Sequence, residues 1–271
     1  MDIGSLLGLI IGFGGILIGF VMESGWNFGA IANLIQAQAA SIVIGGTIGA
    51  VILNFPLDEV KKIPAALKMI FTKSETDVVA IIRKMIEFAE KSRKEGLLSL
   101  EQEAQSNSNP LIKKGLSLVV DGIESETVRD ILDIDKELRT GMMEKTIKIF
   151  EAAGGYSPTM GVIGTVMGMV NILGNMGADT NELAKSIATA FIATFYGVML
   201  ANIVYLPMAG RLKAKAEQDA LTDDLIIEGL LSIQHGDNPR VIKEKLNLAL
   251  FEKIKGIEST ETDTSKQENQ Q

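Results

Sequence analysis

The chain has 271 residues, of which 46% are hydrophobic, a formal net charge of −8 at neutral pH and no cysteine. The negative balance argues against a nucleic-acid partner, and the lack of cysteine excludes a disulfide framework and thiolate chemistry. A mean hydropathy of +0.23 is high for a soluble domain of this size, so the apolar excess must be concentrated somewhere.

It lies in four charge-free runs, Ile3 to Met22, Ser24 to Leu57, Ala152 to Ala178 and Ser186 to Gly210. About 20 apolar residues rising 1.5 Å each cover the roughly 30 Å of a bilayer's hydrocarbon core, and every run is long enough. The chain is therefore expected to be an all-α integral membrane protein, with four transmembrane helices in two hairpins and a helical cytoplasmic domain. The first run has no basic region before it and no small-residue cleavage site, so it reads as a retained span rather than a signal peptide.

The basic residues set the orientation. Of 26 lysines and arginines, all but Lys185 fall between Lys61 and Lys148 or between Arg211 and Lys266. Lys61, Lys62, Lys145, Lys148, Arg211, Lys213 and Lys215 lie near span ends, where the positive-inside rule has force. Both blocks and both termini are thus expected on the cytoplasmic side, with Trp26 suited to the outer interface. His235, the single histidine, cannot make a metal site alone and reads as a surface residue.

In chain order, 1–54 is expected to form the first transmembrane hairpin and 55–148 a cytoplasmic helical insert. The second hairpin follows over 149–210, then cytoplasmic helices over 211–257 and a disordered tail over 258–271. In the insert, Ser74 and Asp77 are spaced to start a helix that carries Val78, Ile81, Ile82, Met85, Ile86 and Ala89 at helical intervals. SRKEGLLSLEQEAQ follows, then a polar break at SNSNP and a helix from Pro110. A last helix, from about Ser125, should run straight into the third span. After the fourth, RLKAKAEQD should continue it, and NPRVIKEKLNLALFEKI should form a further helix beyond a turn at His235 to Asn238. From Glu258 the composition offers nothing to bury.

Within the spans, small residues recur one turn apart: Gly4, Gly8 and Gly12 on the first, Gly45 and Gly49 on the second, Gly164 and Gly168 on the third. Such positions let backbones approach where burial alone gains nothing. Pro158, Gly161, Thr165 and Gly168 share one face of the third span, and Ala190, Thr194, Gly197 and Ala201 one face of the fourth. Two such stripes could line a narrow passage or cradle another helix. In the simpler alternative, each threonine bonds back to its own helix carbonyl. Pro158 and Pro207 permit kinks, or merely start and end helices. No acid or base lies inside a span, since Glu23 and Glu151 sit at span ends. Cation transfer through a bilayer needs such a group, so any titrating carboxylate must come from another polypeptide.

YSPTMGVIGTVMGMV and IATAFIATFYGVMLANIVYLPMAGRL resemble the third and fourth spans of MotA/PomA flagellar stator subunits. SRKEGLLSLE is similar to that family's rotor-facing segment, and VDGIESETVRDIL and GDNPRVIKEKL to its cytoplasmic stretches. The resemblance extends over nearly the whole chain, to about Gly256. It implies a multi-pass protein of the bacterial plasma membrane that works with a single-span MotB/PomB-type partner bearing the ion-binding aspartate. It further implies a homopentamer around two partner spans, acting on the rotor protein FliG. There is then no enzymatic activity and no cofactor other than the transported H+ or Na+. Carried over by motif, Thr165, Thr194 and Phe191 border the ion path, Pro158 and Pro207 couple ion passage to movement, and Arg93 and Glu101 meet the rotor. If one helix carried that last pair, the two would lie roughly 80° apart and about 12 Å along it. Threonine at 165 leaves both ions open, with protons favoured. The alternatives are an ExbB/TolQ-like energising subunit, which usually has three spans and an outside N-terminus, and a membrane scaffold without transport.

Overall fold

The computed structural model describes residues 3–72, 78–174 and 180–251. Among these no residue is in a strand. The chain divides into two compact units, Met1–Lys73 with Met143–Ala214, and Ser74–Met142 with Lys215–Gln271.

The first unit holds the membrane helices. Helix α1 (Ile3–Glu23) is the first span. The second apolar run is not one continuous helix. Asn27 accepts a hydrogen bond from the Gly29 amide and starts a 3-10 helix, Phe28–Leu34. Ile35 and Gln36 are then extended, and the span proper begins with α2 (Ala37–Ala40). A π-helical turn, Ser41–Gly45, joins it to α3 (Gly46–Asn54). Two short helices, α4 (Leu57–Val60) and α5 (Ile63–Phe71), turn the chain back against the end of that span. Val51, Ile149 and Ala153 are buried there, with Phe55, Val60, Ile63, Tyr156 and Tyr205 packed around them.

In the second unit, α6 (Val78–Glu95) buries Ile82, Met85, Phe88 and Ala89 along one stripe. Its expected N-terminal cap at Ser74 and Asp77 lies outside the described residues. After a 3-10 turn, Leu97–Leu100, comes α7 (Glu101–Ser106). Helix α8 (Pro110–Val120) starts where the polar break ends: Asn109 accepts from the Leu111 and Ile112 amides, and Pro110 occupies a position that needs no donor. It stops at Gly122, whose φ of 73° lets the Ile123 amide fold back onto the Leu118 carbonyl at 3.1 Å.

Helix α9 (Ser125–Gly174) runs from this unit into the third span as a single element, as its sequence predicts. The fourth span comprises α10 (Thr180–Met199), a second π-helical stretch (Leu200–Tyr205) and the start of α11 (Leu206–Gln234). The turn at His235 follows, and α12 occupies 239–251. The second unit's core unites Met85, Leu100, Leu111, Leu116, Leu132, Leu225, Leu230 and Leu246. Gly115 makes room for Leu230, whose Cδ1 would lie 2.3 Å from an added Cβ. Ion pairs surround that core: Arg129 and Lys245 both reach Glu228, Lys136 reaches Asp224, and Arg139 reaches Asp223.

Four helices are long and apolar enough to cross a bilayer, and their large side chains face outward to a degree no aqueous surface would tolerate. In α1, Ile3, Ile10, Ile11 and Ile18 are each more than half exposed.

Candidate functional site: the seam between the third and fourth spans

The third and fourth spans approach at backbone distance. A Cβ built on Gly161 would lie 2.9 Å from the Ala193 carbonyl oxygen and 3.0 Å from Thr194 Cα. One on Gly164 would lie 2.5 Å from Ala193 Cβ, and one on Gly168 2.5 Å from Ala190 Cβ. The small-residue faces read from the sequence therefore meet each other rather than pointing apart. On the second span the contact residue is Gly46, against Met160, whereas Gly45 and Gly49 have nothing within 4 Å. Along α1, Gly12 meets Ile203, while Gly8, Gly14, Gly15 and Gly19 face open space.

This close approach brings Thr165 and Thr194 together, with their hydroxyls hydrogen-bonded to one another. The Thr165 hydroxyl also lies 3.1 Å from the Gly161 carbonyl of its own helix and 3.1 Å from the Ala190 carbonyl across the seam. The Thr194 hydroxyl lies 3.4 Å from the Gly161 carbonyl. Thr165 thus has the local back-bond expected in the simpler alternative, but both hydroxyls also reach across. Two hydroxyl and two carbonyl oxygens form a half-buried cluster with no charged group in it. Oxygens of this kind are the ligands that hard cations take in exchange for water.

Ser157 belongs to the same seam. It is fully buried and donates to the Gly197 carbonyl at 3.0 Å. The sequence reading passed over it, although it lies one turn before Gly161 on the same face. Phe191 lies one turn before Thr194 and is 68% exposed, so this chain's own atoms do not cover it.

Neither proline marks a helix end. Pro158 lies well inside α9, and Pro207 follows the π-helical stretch. The readings of Pro158 as a helix start and Pro207 as a terminator are therefore excluded. A proline lacks the N–H that would occupy the carbonyl four residues earlier. Next to Pro207 the backbone adjusts, with the Leu206 amide bonding to the Ala201 carbonyl five residues back.

Arg93 and Glu101 do not share a helix. Gly96, at φ 84°, ends α6, and the 3-10 turn separates it from α7. The one-helix geometry of roughly 80° and about 12 Å therefore does not apply, because a residue in the left-handed region cannot continue a right-handed helix. Instead the two residues flank a tight turn closed by Lys91 and Glu103 at 3.2 Å, with Leu98 72% exposed at its tip. Both are exposed, and among the described residues neither is ion-paired. No group of three or more His, Cys, Asp or Glu among the described residues is placed to hold a metal ion.

Four helices long and apolar enough to cross a bilayer, two of them meeting at a glycine seam with hydroxyl and carbonyl oxygens, are those of a multi-pass membrane protein. Residues 103–224 match the MotA/TolQ/ExbB proton channel family, and residues 6–96 match the motility protein A N-terminal family. Motility protein A of Bacillus subtilis is 37% identical over 92% of this chain and 91% of its own length. The fold is similar to that of the flagellar MotAB stator complex of the same organism, with TM-score 0.81 and 35% identity over 89% of this chain and 93% of that one. It is also similar to C. jejuni MotAB, with TM-score 0.85 and 26% identity over 92% and 96%. The chain belongs to the MotA/TolQ/ExbB proton channel family and, within it, groups with the motility protein A subunits. The match over residues 6–96 favours that branch over ExbB/TolQ.

Proposed function

We propose that this chain is the ring-forming subunit of a flagellar stator. With a single-span MotB-type partner it couples inward cation flow to torque on the rotor protein FliG, with protons favoured over sodium. The observation that carries this reading is the Thr165–Thr194 oxygen cluster at a charge-free helix seam. Neutral oxygens can pass a cation along but cannot capture and release a proton at neutral pH, so the titrating carboxylate belongs to the partner. In this assembly Phe191 walls the space between the seam and the partner helix, and Pro158 and Pro207 give the two spans their flexible points. The open glycine face of α1 suits a neighbouring copy of the chain, in keeping with a pentamer. By the positive-inside rule, the basic blocks support a cytoplasmic location for both termini and for the second unit. There the turn bearing Arg93, Leu98 and Glu101 presents two charges and an apolar tip to the rotor.

The test is reconstitution. Purified chain in proteoliposomes should pass neither protons nor sodium, and co-reconstitution with the single-span partner should open a flux that disappears when the partner's carboxylate becomes an amide. Flux through this chain alone would remove the shared site.

A further inference from the structure

The fourth span has a second polar face, nearly opposite the one that carries Thr194. Tyr196 donates its hydroxyl proton to the Leu34 carbonyl and accepts from the Gln36 backbone amide at 3.2 Å. These two backbone groups flank the extended break between the 3-10 helix and α2. In apolar surroundings an unpaired backbone group is costly, and Tyr196 satisfies both the Leu34 carbonyl and the Gln36 amide. Thr189, two turns earlier on the same face, places its hydroxyl on the Gln36 side-chain amide while lying 2.9 Å from the Lys185 carbonyl of its own helix. The same seam is packed by Ala39, Val43, Ile192 and Ala193. The fourth span is therefore gripped at two heights by residue 36, through its backbone and its side chain.

At 100° per residue, Thr189 and Tyr196 lie about 20° apart around the helix, and Thr194 lies about 140–160° from both. The grip thus works from behind the ion-facing side. If the span turned by about 20°, a hydroxyl oxygen about 4 Å from the axis would move by about 1.4 Å, enough to break a hydrogen bond. We propose that Tyr196, assisted by Thr189 and Gln36, is a positioning residue for ion transfer. Its hydroxyl bridges the Leu34–Gln36 break and thereby sets the rotation of the fourth span that holds Thr194 against Thr165. The inference rests on the ion-path reading above, and the experiment keeps the two separable.

The full chain, co-expressed with its partner in a strain lacking its own stator, is compared as wild type, Tyr196→Phe, Thr194→Val and the double variant. Torque is recorded while external Na+ is varied at fixed pH and pH at fixed Na+. Tyr196→Phe keeps the ring and removes only the hydroxyl. It should assemble at wild-type yield, raise the half-saturating concentration of the driving ion three- to tenfold, and add nothing to the loss caused by Thr194→Val. A wild-type curve for Tyr196→Phe, or losses that simply multiply in the double variant, would overturn the positioning role. Wild-type torque in Thr194→Val would instead remove the ion path itself. Should Tyr196→Phe not assemble, Thr189→Val, which leaves the backbone bridge intact, must give a smaller shift in the same direction. An unshifted curve there would equally overturn the inference.

Discussion

Gly161 and Gly197 touch backbone to backbone: a Cβ built on Gly197 would lie 3.1 Å from Gly161 Cα and 2.6 Å from the Ser157 carbonyl oxygen. That oxygen belongs to a helix and cannot move aside as a side chain would. Gly197→Ala should therefore force the third and fourth spans apart and destabilise the protein by about 1–3 kcal/mol, the usual result of overpacking. It should also separate the hydroxyls of Thr165 and Thr194, so that torque falls more than expression does. Gly210→Ala provides the contrast, because beyond its own helix turn nothing lies within 4 Å of the added methyl. Thermal melting in detergent, read alongside torque, separates the two. Equal melting temperatures for Gly197→Ala and wild type would mean that the close approach is not needed.

Thr165→Val and Thr194→Val replace each hydroxyl with a methyl of similar shape. A hydrogen bond to a charged group is worth about 1.5–3 kcal/mol, which corresponds to roughly tenfold to hundredfold slower passage at about 1.4 kcal/mol per decade. Thr194→Val should be the more damaging, because the described hydroxyl contacts of Thr194 all cross the seam. Thr165→Val should shift ion dependence if sodium is used. Swimming speed under independent variation of sodium and pH measures both, and normal motility in the two variants at normal expression would favour a scaffold.

Reversing the charge of Arg93 or Glu101 should weaken torque while leaving membrane insertion and assembly intact. Both side chains are exposed, so neither contributes much to folding. The turn between them rests on Gly96 and the Lys91–Glu103 pair, which the reversals do not touch. Loss of the detergent-solubilised complex would assign the pair to structure instead.

Glu228 and Asp223 predict opposite pH behaviour in the second unit. Burial works to raise the Glu228 pKa, but hydrogen bonds from Lys245 and Arg129 outweigh it, and the net result lies below 4.5. A depressed carboxylate pKa contributes stability above its unfolded value, and that contribution is lost as pH falls through the folded value. Glu228→Gln should therefore lower stability at pH 7, by no more than about 1 kcal/mol because its half-exposed partners are screened by solvent, and the difference should vanish in acid. For Asp223, burial raises the pKa above 3.8 and the Arg139 and Lys136 charges only partly oppose it. Its contribution is present in acid and lost as pH rises through the folded value, so Asp223→Asn should leave neutral-pH stability unchanged or raised. Melting curves from about pH 2 to pH 8 would expose an error in either sign.

Much of this architecture is a property of local sequence. A charge-free run of about 20 residues announces a span whatever surrounds it, and an uninterrupted helical pattern from Ser125 carries α9 into the third span. Asn109–Pro110 starts α8 by chemistry confined to four residues. The faces holding Thr165 and Thr194 follow from the 3.6-residue period alone.

Which face meets which is a different matter, because it depends on groups far apart in the chain. Periodicity marked Gly45 and Gly49, but packing brought Gly46 against Met160. Motif resemblance marked Arg93 and Glu101 but not whether one helix carries both, and Gly96, at φ 84°, divides them between two helices. The break at Ile35–Gln36 is hidden in an apolar run because its two unpaired backbone groups are satisfied by Tyr196, 160 residues further along. Hydropathy and helical period are fixed residue by residue. Hydrogen-bond partners inside a membrane are decided only when the helices have packed, since no water is present to satisfy a group left unpaired.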